Sequence, residues 1–307
     1  MARKEIKFHK LTWVHVDKMS EEDARVIKRR FRFHQLDLND CIEPVQRPKL
    51  DTYRPYFFLV VHLPQYDAEN KKIIMQQLNV FVGKHYVVTA TQEDIPALAK
   101  YWNSYVRKSK RHLPYDNLKN NAGYLLYKIL DVTFRQATSV IDSFGKKISD
   151  IEDRVYADEN NAAVRGIARI RRDIFTLKQM LEPQVRIVGQ LVSLKESFIS
   201  SELAVYFDDV QDYLEKLWSS VLIYKDTVDG LHNTNESMIS LRTNEVIKML
   251  TVVSVALLPL TLLTGIYGMN VQGLPFAGSP LGIVIIFAIL LGIIIGIIVF
   301  SKRRNLI

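Results

Sequence analysis

From Asn244 to Asn270, side chains with small or polar ends recur every three or four positions through an otherwise aliphatic run. Asn244, Ile247, Thr251, Ser254, Leu258, Thr261, Gly265 and Gly268 fall on one face of a helix. A stripe of small and hydroxyl side chains can line a water-filled pore. The same stripe of small side chains also suits close packing of one helix on another, and periodicity by itself leaves both roles open. Elsewhere the chain offers little that does chemistry. The histidines at 9, 15, 34, 62, 85, 112 and 232 form no close ligand pair, and a single cysteine, Cys41, excludes an internal disulfide and a cysteine-based zinc cluster. There is no P-loop, no dinucleotide fingerprint and no G-x-S-x-G elbow, so nothing supports an enzyme or an organic cofactor.

The elements that must position the stripe are membrane spans. Among 307 residues, positions 249–300 contain no Lys, Arg, Asp or Glu. Residues 246–267, with only Lys248 charged, extend over roughly 33 Å as a helix, enough for a bilayer core. Residues 281–300 are uniformly Ile, Leu and Val-rich and form a second, lipid-facing span. Arg242 and Lys248 precede the first span, Lys302, Arg303 and Arg304 follow the second, and 268–280 carry no charge. The positive-inside rule then predicts an inner, cell-membrane protein with both termini in the cytoplasm and a short external loop. The net charge of +8 is spread among 33 acids, which argues for topology and against nucleic acid. The first ten residues lack the apolar core of a signal peptide, so none is expected.

The preceding sequence reads as a cytoplasmic α/β domain (1–115), then a long helical hairpin (116–201). A stalk helix (202–270) continues into the first span at about 246, the external loop covers 268–280, and a basic tail occupies 301–307. Strands are predicted at 11–16, at the apolar run 56–63, and in a hairpin 78–82 and 85–89 turning at Gly83-Lys84. Ser20-Glu21-Glu22-Asp23 starts a helix, and 94–108 is helical ahead of Pro114. Apolar residues Leu125, Ile129, Val132, Ala137, Val140, Ile141, Phe144, Ile148 and Ile151 share a helix face, and 161–200 is a second helical pattern interrupted at Pro183. The stalk tolerates Gly230.

The first span ends Thr264-Gly265-Ile266-Tyr267-Gly268-Met269-Asn270. Tyr-Gly-Met-Asn at the outer end of the first of two C-terminal spans, after Pro259-Leu260-Thr261, resembles the CorA family of divalent-cation channels. Thr243-Asn244-Glu245-Val246 and Gln46-Arg47-Pro48-Lys49 carry the likeness over essentially the whole chain. The resemblance implies a funnel-shaped homopentamer with an α/β cytoplasmic domain, long helices and a two-helix transmembrane hairpin. It implies a selectivity filter of Gly268, Met269 and Asn270, passing Mg²⁺ with Co²⁺ and Ni²⁺ as further candidates. Mg²⁺ sheds water reluctantly, so a ring of Asn270 amides is suited to hydrogen-bond its hydration shell; an Asn there also suits a helix C-cap. By resemblance the pore runs inward past Gly265, Thr261, Leu258, Ser254, Leu250 and Ile247 to Asn244, with Leu258, Leu250 and Ile247 as a hydrophobic constriction. The family also implies Mg²⁺ sensing between subunits, and alignment places Asp40 and Asp209 on the two sensing acids. Asn39 and Tyr213 depart from the acid and histidine found nearby in relatives, which puts a second sensing site in doubt.

Mg²⁺ is thus expected as cargo and regulator, with a second copy of the chain, the bilayer and divalent cations as partners. The stretch Val271 to Ala277 lacks the acids that many Mg²⁺ members carry there and is similar to the related ZntB branch, which makes a Zn²⁺ transporter the alternative. A non-conducting membrane scaffold is the alternative of another class.

Overall fold

The computed structural model describes residues 3–43, 45–110, 121–157, 160–193, 201–269, 274–275 and 279–303. Asn270, Arg304 and Pro114 lie outside these. The chain divides into two compact units, Met1–His232 and Asn233–Ile307.

The first unit is built on a six-stranded sheet in the order β1-β2-β6-β5-β4-β3. Its strands are β1 (Arg3–Phe8), β2 (Leu11–Asp17), β3 (Lys49–Thr52), β4 (Tyr56–Asp67), β5 (Lys72–Gly83) and β6 (Tyr86–Thr91). All neighbours are antiparallel except β2 with β6. Both faces are covered, which explains the continuous apolar run at the start of β4. Phe57, Leu59, Val61 and Leu63 enter one core, and Tyr56, Phe58 and Val60 enter the other.

The smaller core is closed by α1 (Glu21–Phe31) and α2 (Gln35–Asp40). Ser20 caps α1 in a capping box with Asp23, as its sequence predicts, and Ala24 and Ile27 form the buried face. The larger core lies under α3 (Pro96–Ser109), α4 (Ala122–Tyr156), α5 (Asn160–Ser193) and the first half of α6 (Ser201–Tyr267). In α6, Leu203, Phe207, Val210, Leu214, Leu217 and Val221 are buried at alternating spacings of three and four, the seam of a packed helix pair.

Several boundaries differ from expectation. β1, α2 and β3 are short, polar elements without a clean apolar period. The β5–β6 turn is Lys84-His85, because Gly83 pairs with Tyr86 inside the ladder. A Cβ on Gly83 would sit 2.3 Å from the Tyr86 ring, so any larger residue there displaces that ring. Pro183 does not interrupt α5, which runs unbroken through it. The proline forfeits one backbone hydrogen bond, but the next residue anchors the turn. Gln184, fully buried, donates to the Met180 carbonyl at 2.8 Å and accepts from the His62 amide of β4 at 2.9 Å.

The second unit contains the C-terminal half of α6 and α7 (Pro280–Arg303). α6 continues without a break past Gly230 and Pro259. Its apolar stretch is largely uncovered by the chain itself: Leu250 is 65% exposed and Leu258 64%. Aliphatic surface of this extent requires lipid or further copies of the chain to cover it.

Candidate functional site

The site is a face of α6. On the side towards α7, Leu260, Leu263, Thr264 and Tyr267 line an apolar cleft of about 220 Å³ with Ile286, Phe287 and Leu290. Ala256 is buried on the same side of the helix. At about 100° per residue, Ile247, Ser254, Leu258 and Gly265 fall on the side away from this cleft, and Leu250 and Thr261 at its flank. All six are exposed, as are Asn244, Gly268 and Met269. The structure therefore brings the predicted pore residues it describes onto one continuous strip, turned away from α7. Gly265 fills no close contact within the chain, since a Cβ there would meet nothing within 4 Å.

The hydroxyls on this half of α6 are oriented by the helix. Thr251 Oγ1 donates to the Ile247 carbonyl at 2.8 Å, and Thr261 Oγ1 donates to the Leu257 carbonyl at 3.1 Å. With their protons committed inward, the hydroxyls offer lone pairs outward. Acceptors of that kind match the outward-pointing hydrogens of a hydrated cation.

Three contacts fix the C-terminal end of α6. Gly268 N–H donates to the Thr264 carbonyl at 2.9 Å, and Met269 N–H to the Ile266 carbonyl at 3.3 Å. Tyr267 Oη donates to the Pro275 carbonyl at 2.8 Å, tying the loop to the helix. A Cβ on Gly268 would lie 2.9 Å from the Thr264 carbonyl oxygen, so this turn accepts only glycine without shifting.

The predicted sensing acids lie in the first unit. Asp40 closes α2, and side-chain amides from β5 and from the residue after β6 hold the backbone at Asp40 and Cys41. Gln77 Nε2 donates to the Asp40 carbonyl at 2.9 Å, and Gln92 Nε2 donates to the Cys41 carbonyl at 2.6 Å. Lys49 Nζ lies 2.7 Å from Asp40 Oδ2 and 2.7 Å from Asp51 Oδ2. Burial pulls the Lys49 ammonium towards neutrality, but the two carboxylates outweigh it and hold its pKa above the ordinary lysine value. Cys41 is buried in α2's core and burial pushes its thiol pKa well up, which leaves it an inert packing residue.

Asp209 is exposed on α6. It contributes to the field on Arg135 of α4, whose guanidinium is held charged chiefly by Asp131. Arg135 also lies over the Tyr213 ring, 5.2 Å from its centroid, and Tyr213 Oη contacts Thr138 Oγ1. Asn39 accepts from Gln35 Nε2 at 2.8 Å. No hydrogen bond or ion pair joins Asp40 to Asp209 within one chain. The residue missed by sequence reasoning is Lys49. It stands in the Gln46-Arg47-Pro48-Lys49 motif, and its alternation with Asp51 across a strand is the signal that it shares a face with that acid.

A mixed α/β unit is joined in one chain to a long helix with an apolar C-terminal half and to a second, shorter apolar helix, an arrangement consistent with a two-span membrane protein. The profile of the family described as CorA-like Mg²⁺ transporter protein matches residues 8–303, and the chain belongs to that family. It is accordingly a membrane transport protein and not an enzyme. Protein YfjQ of Bacillus subtilis is 28% identical over 298 residues, covering 96% of this chain and 90% of that protein. The cobalt/magnesium transport protein CorA of Thermotoga maritima is 26% identical over 295 residues, covering 96% of this chain and 83% of that protein. The complete structure of the CorA magnesium transporter from Methanocaldococcus jannaschii shares the fold, with a TM-score of 0.84 at 19% identity over 99% of this chain and 94% of that one.

Proposed function

We propose that the chain passes hydrated Mg²⁺ into the cytoplasm through a ring of copies, five by resemblance to its family. The observation that carries this reading is the exposed α6 strip turned away from α7. One chain with two spans cannot enclose a conduit, so the strip becomes a channel wall only when several copies close with cyclic symmetry. α7 then forms the lipid side. The 268–280 loop lies outside, and the domain at 1–115, the hairpin at 116–201 and the basic tail lie in the cytoplasm. Gly268, Met269 and Asn270 form the filter. Thr261 and Asn244 supply polar rings, and Leu258, Leu250 and Ile247 a constriction that closes by dewetting. A divalent ion crossing 100 mV gains roughly 4.6 kcal/mol, twice the value for one charge, so uptake needs no bound nucleotide. Asp40 of one copy and Asp209 of the next hold cytoplasmic Mg²⁺ and favour the closed ring.

The test is flux into proteoliposomes under an imposed negative-inside potential. Wild type should take up Mg²⁺, and Asn270→Ala should change ion preference or lose flux. Conduction by Asn270→Ala with unchanged preference removes the filter assignment. Because the segment after Asn270 lacks acids, labelled Zn²⁺ is run in parallel, with and without a proton gradient. Preferential Zn²⁺ uptake replaces Mg²⁺ as the cargo, and no flux from a well-formed oligomer favours a scaffold.

A further inference from the structure

We propose that Lys49 is a tethered cation that sets how much Mg²⁺ the Asp40 site needs. This rests on the reading of Asp40 as a sensing acid and names the residue that tunes it. Asp40 is an unusual carboxylate for a surface sensor. Its side chain is only 16% exposed, and Oδ2 is sealed from solvent. The charge partner of that oxygen is Lys49 Nζ at 2.7 Å, and among the described residues no other group pairs with it. The same ammonium lies 2.7 Å from Asp51 Oδ2 and 5.4 Å from the centroid of the Phe58 ring.

The register of the strands explains why the three groups converge. Lys49 stands opposite Val60 and Asp51 opposite Phe58, so both side chains rise from the sheet face that α2 covers. Gln77 and Gln92 pin the backbone at Asp40 and Cys41 against that face. Asp40 therefore does not swing away from Lys49 to meet a metal. Mg²⁺ arriving at Asp40 has to share the carboxylate with the ammonium or displace it. A sealed anionic oxygen cannot exchange its cation for water, so the competition is between two cations.

Asp51 divides the charge of Lys49. Removing Lys49 leaves Asp40 and Asp51 both unneutralised and strengthens Mg²⁺ binding. Removing the charge of Asp51 leaves Lys49 wholly on Asp40 and weakens it. The two substitutions move the sensor in opposite directions, which general damage to the fold does not do.

The experiment measures the internal Mg²⁺ that half-closes flux in proteoliposomes of the full-length protein. Lys49→Met, which keeps the length of the stem beside Phe58, should close at about three- to tenfold lower Mg²⁺, and Asp51→Asn at a higher concentration by a similar factor. Lys49→Gln serves as a second, polar replacement with the same expected direction. Asp40→Asn is the control: it should require more Mg²⁺ to close, and in its background Lys49→Met should have no further effect. If Asp40→Asn leaves the closing curve unchanged, the sensing reading itself fails and this proposal falls with it. If Asp40→Asn shifts the curve but Lys49→Met does not, or if Lys49→Met and Asp51→Asn shift it the same way, Lys49 is a structural ion pair only and the proposal is overturned.

Discussion

Asp37 illustrates how a single buried group couples the fold to pH. It lies beneath Tyr53 and Tyr56 and accepts from their hydroxyls at 3.0 and 2.7 Å. Burial raises its pKa above the ordinary 3.8, and the two hydrogen bonds recover only part of that shift. A carboxyl whose folded-state pKa is raised binds its proton more tightly folded than unfolded. Its contribution therefore favours the fold increasingly as pH falls from above the folded pKa towards 3.8, and disfavours it as pH rises through the same window. Asp37→Asn carries no titrating proton. The gap in thermal midpoint between wild type and Asp37→Asn, measured in detergent across that window, should shift towards wild type as pH falls and be flat above it. A constant gap rejects the assignment. None of this is visible from Asp37 as a letter in the sequence, because its neighbours come from the β3–β4 turn and the start of β4.

Among the elements, α1 is the one whose start the sequence states in full. Ser20 Oγ accepts from the Asp23 amide at 3.2 Å, and Asp23 Oδ2 accepts from the Ser20 hydroxyl at 2.7 Å. Ser20→Ala should lower stability by about 1 kcal/mol, read as a lower unfolding midpoint with Mg²⁺ flux retained. An unchanged midpoint would mean that packing of Ala24 and Ile27 alone holds the helix. α5 teaches the opposite lesson. Pro183 reads locally as an interruption, but Gln184 ties the same turn to β4 through a contact 122 residues away in sequence. β1 and β3 were not legible because strand pairing, not apolar alternation, defines them: each is held by one antiparallel neighbour at an edge of the sheet.

At the scale of the whole molecule, exposed aliphatics and the polar strip make opposite demands on one helix. Leu257 and Leu262 suit lipid or protein, whereas Asn244, Ser254 and Thr261 suit water. The closed ring proposed above satisfies both, with the strip inward and α7 outward. Native mass spectrometry of the solubilised protein should find five protomers, and loss of the ring should abolish flux. A monomer that conducts would exclude the strip as a channel wall.

The sequence by itself determined the two apolar helices, their uncharged loop, the face shared by Asn244 through Gly268, and the α/β-then-helical order. Each of these is written in spacing, charge or a contiguous motif, and needs no partner from elsewhere in the chain. Tertiary structure decided what that face turns away from, since only packing against Ile286 and Leu290 fixes the rotation of α6 beside α7. It also decided the surroundings of Asp40. The motif supplied Lys49 as a nearby basic residue, but the ion pair forms because strand pairing and two glutamine side chains bring β3 to the end of α2. Local patterns specify helices and faces, whereas the charge that an acid meets across a sheet depends on register, which sequence spacing does not encode.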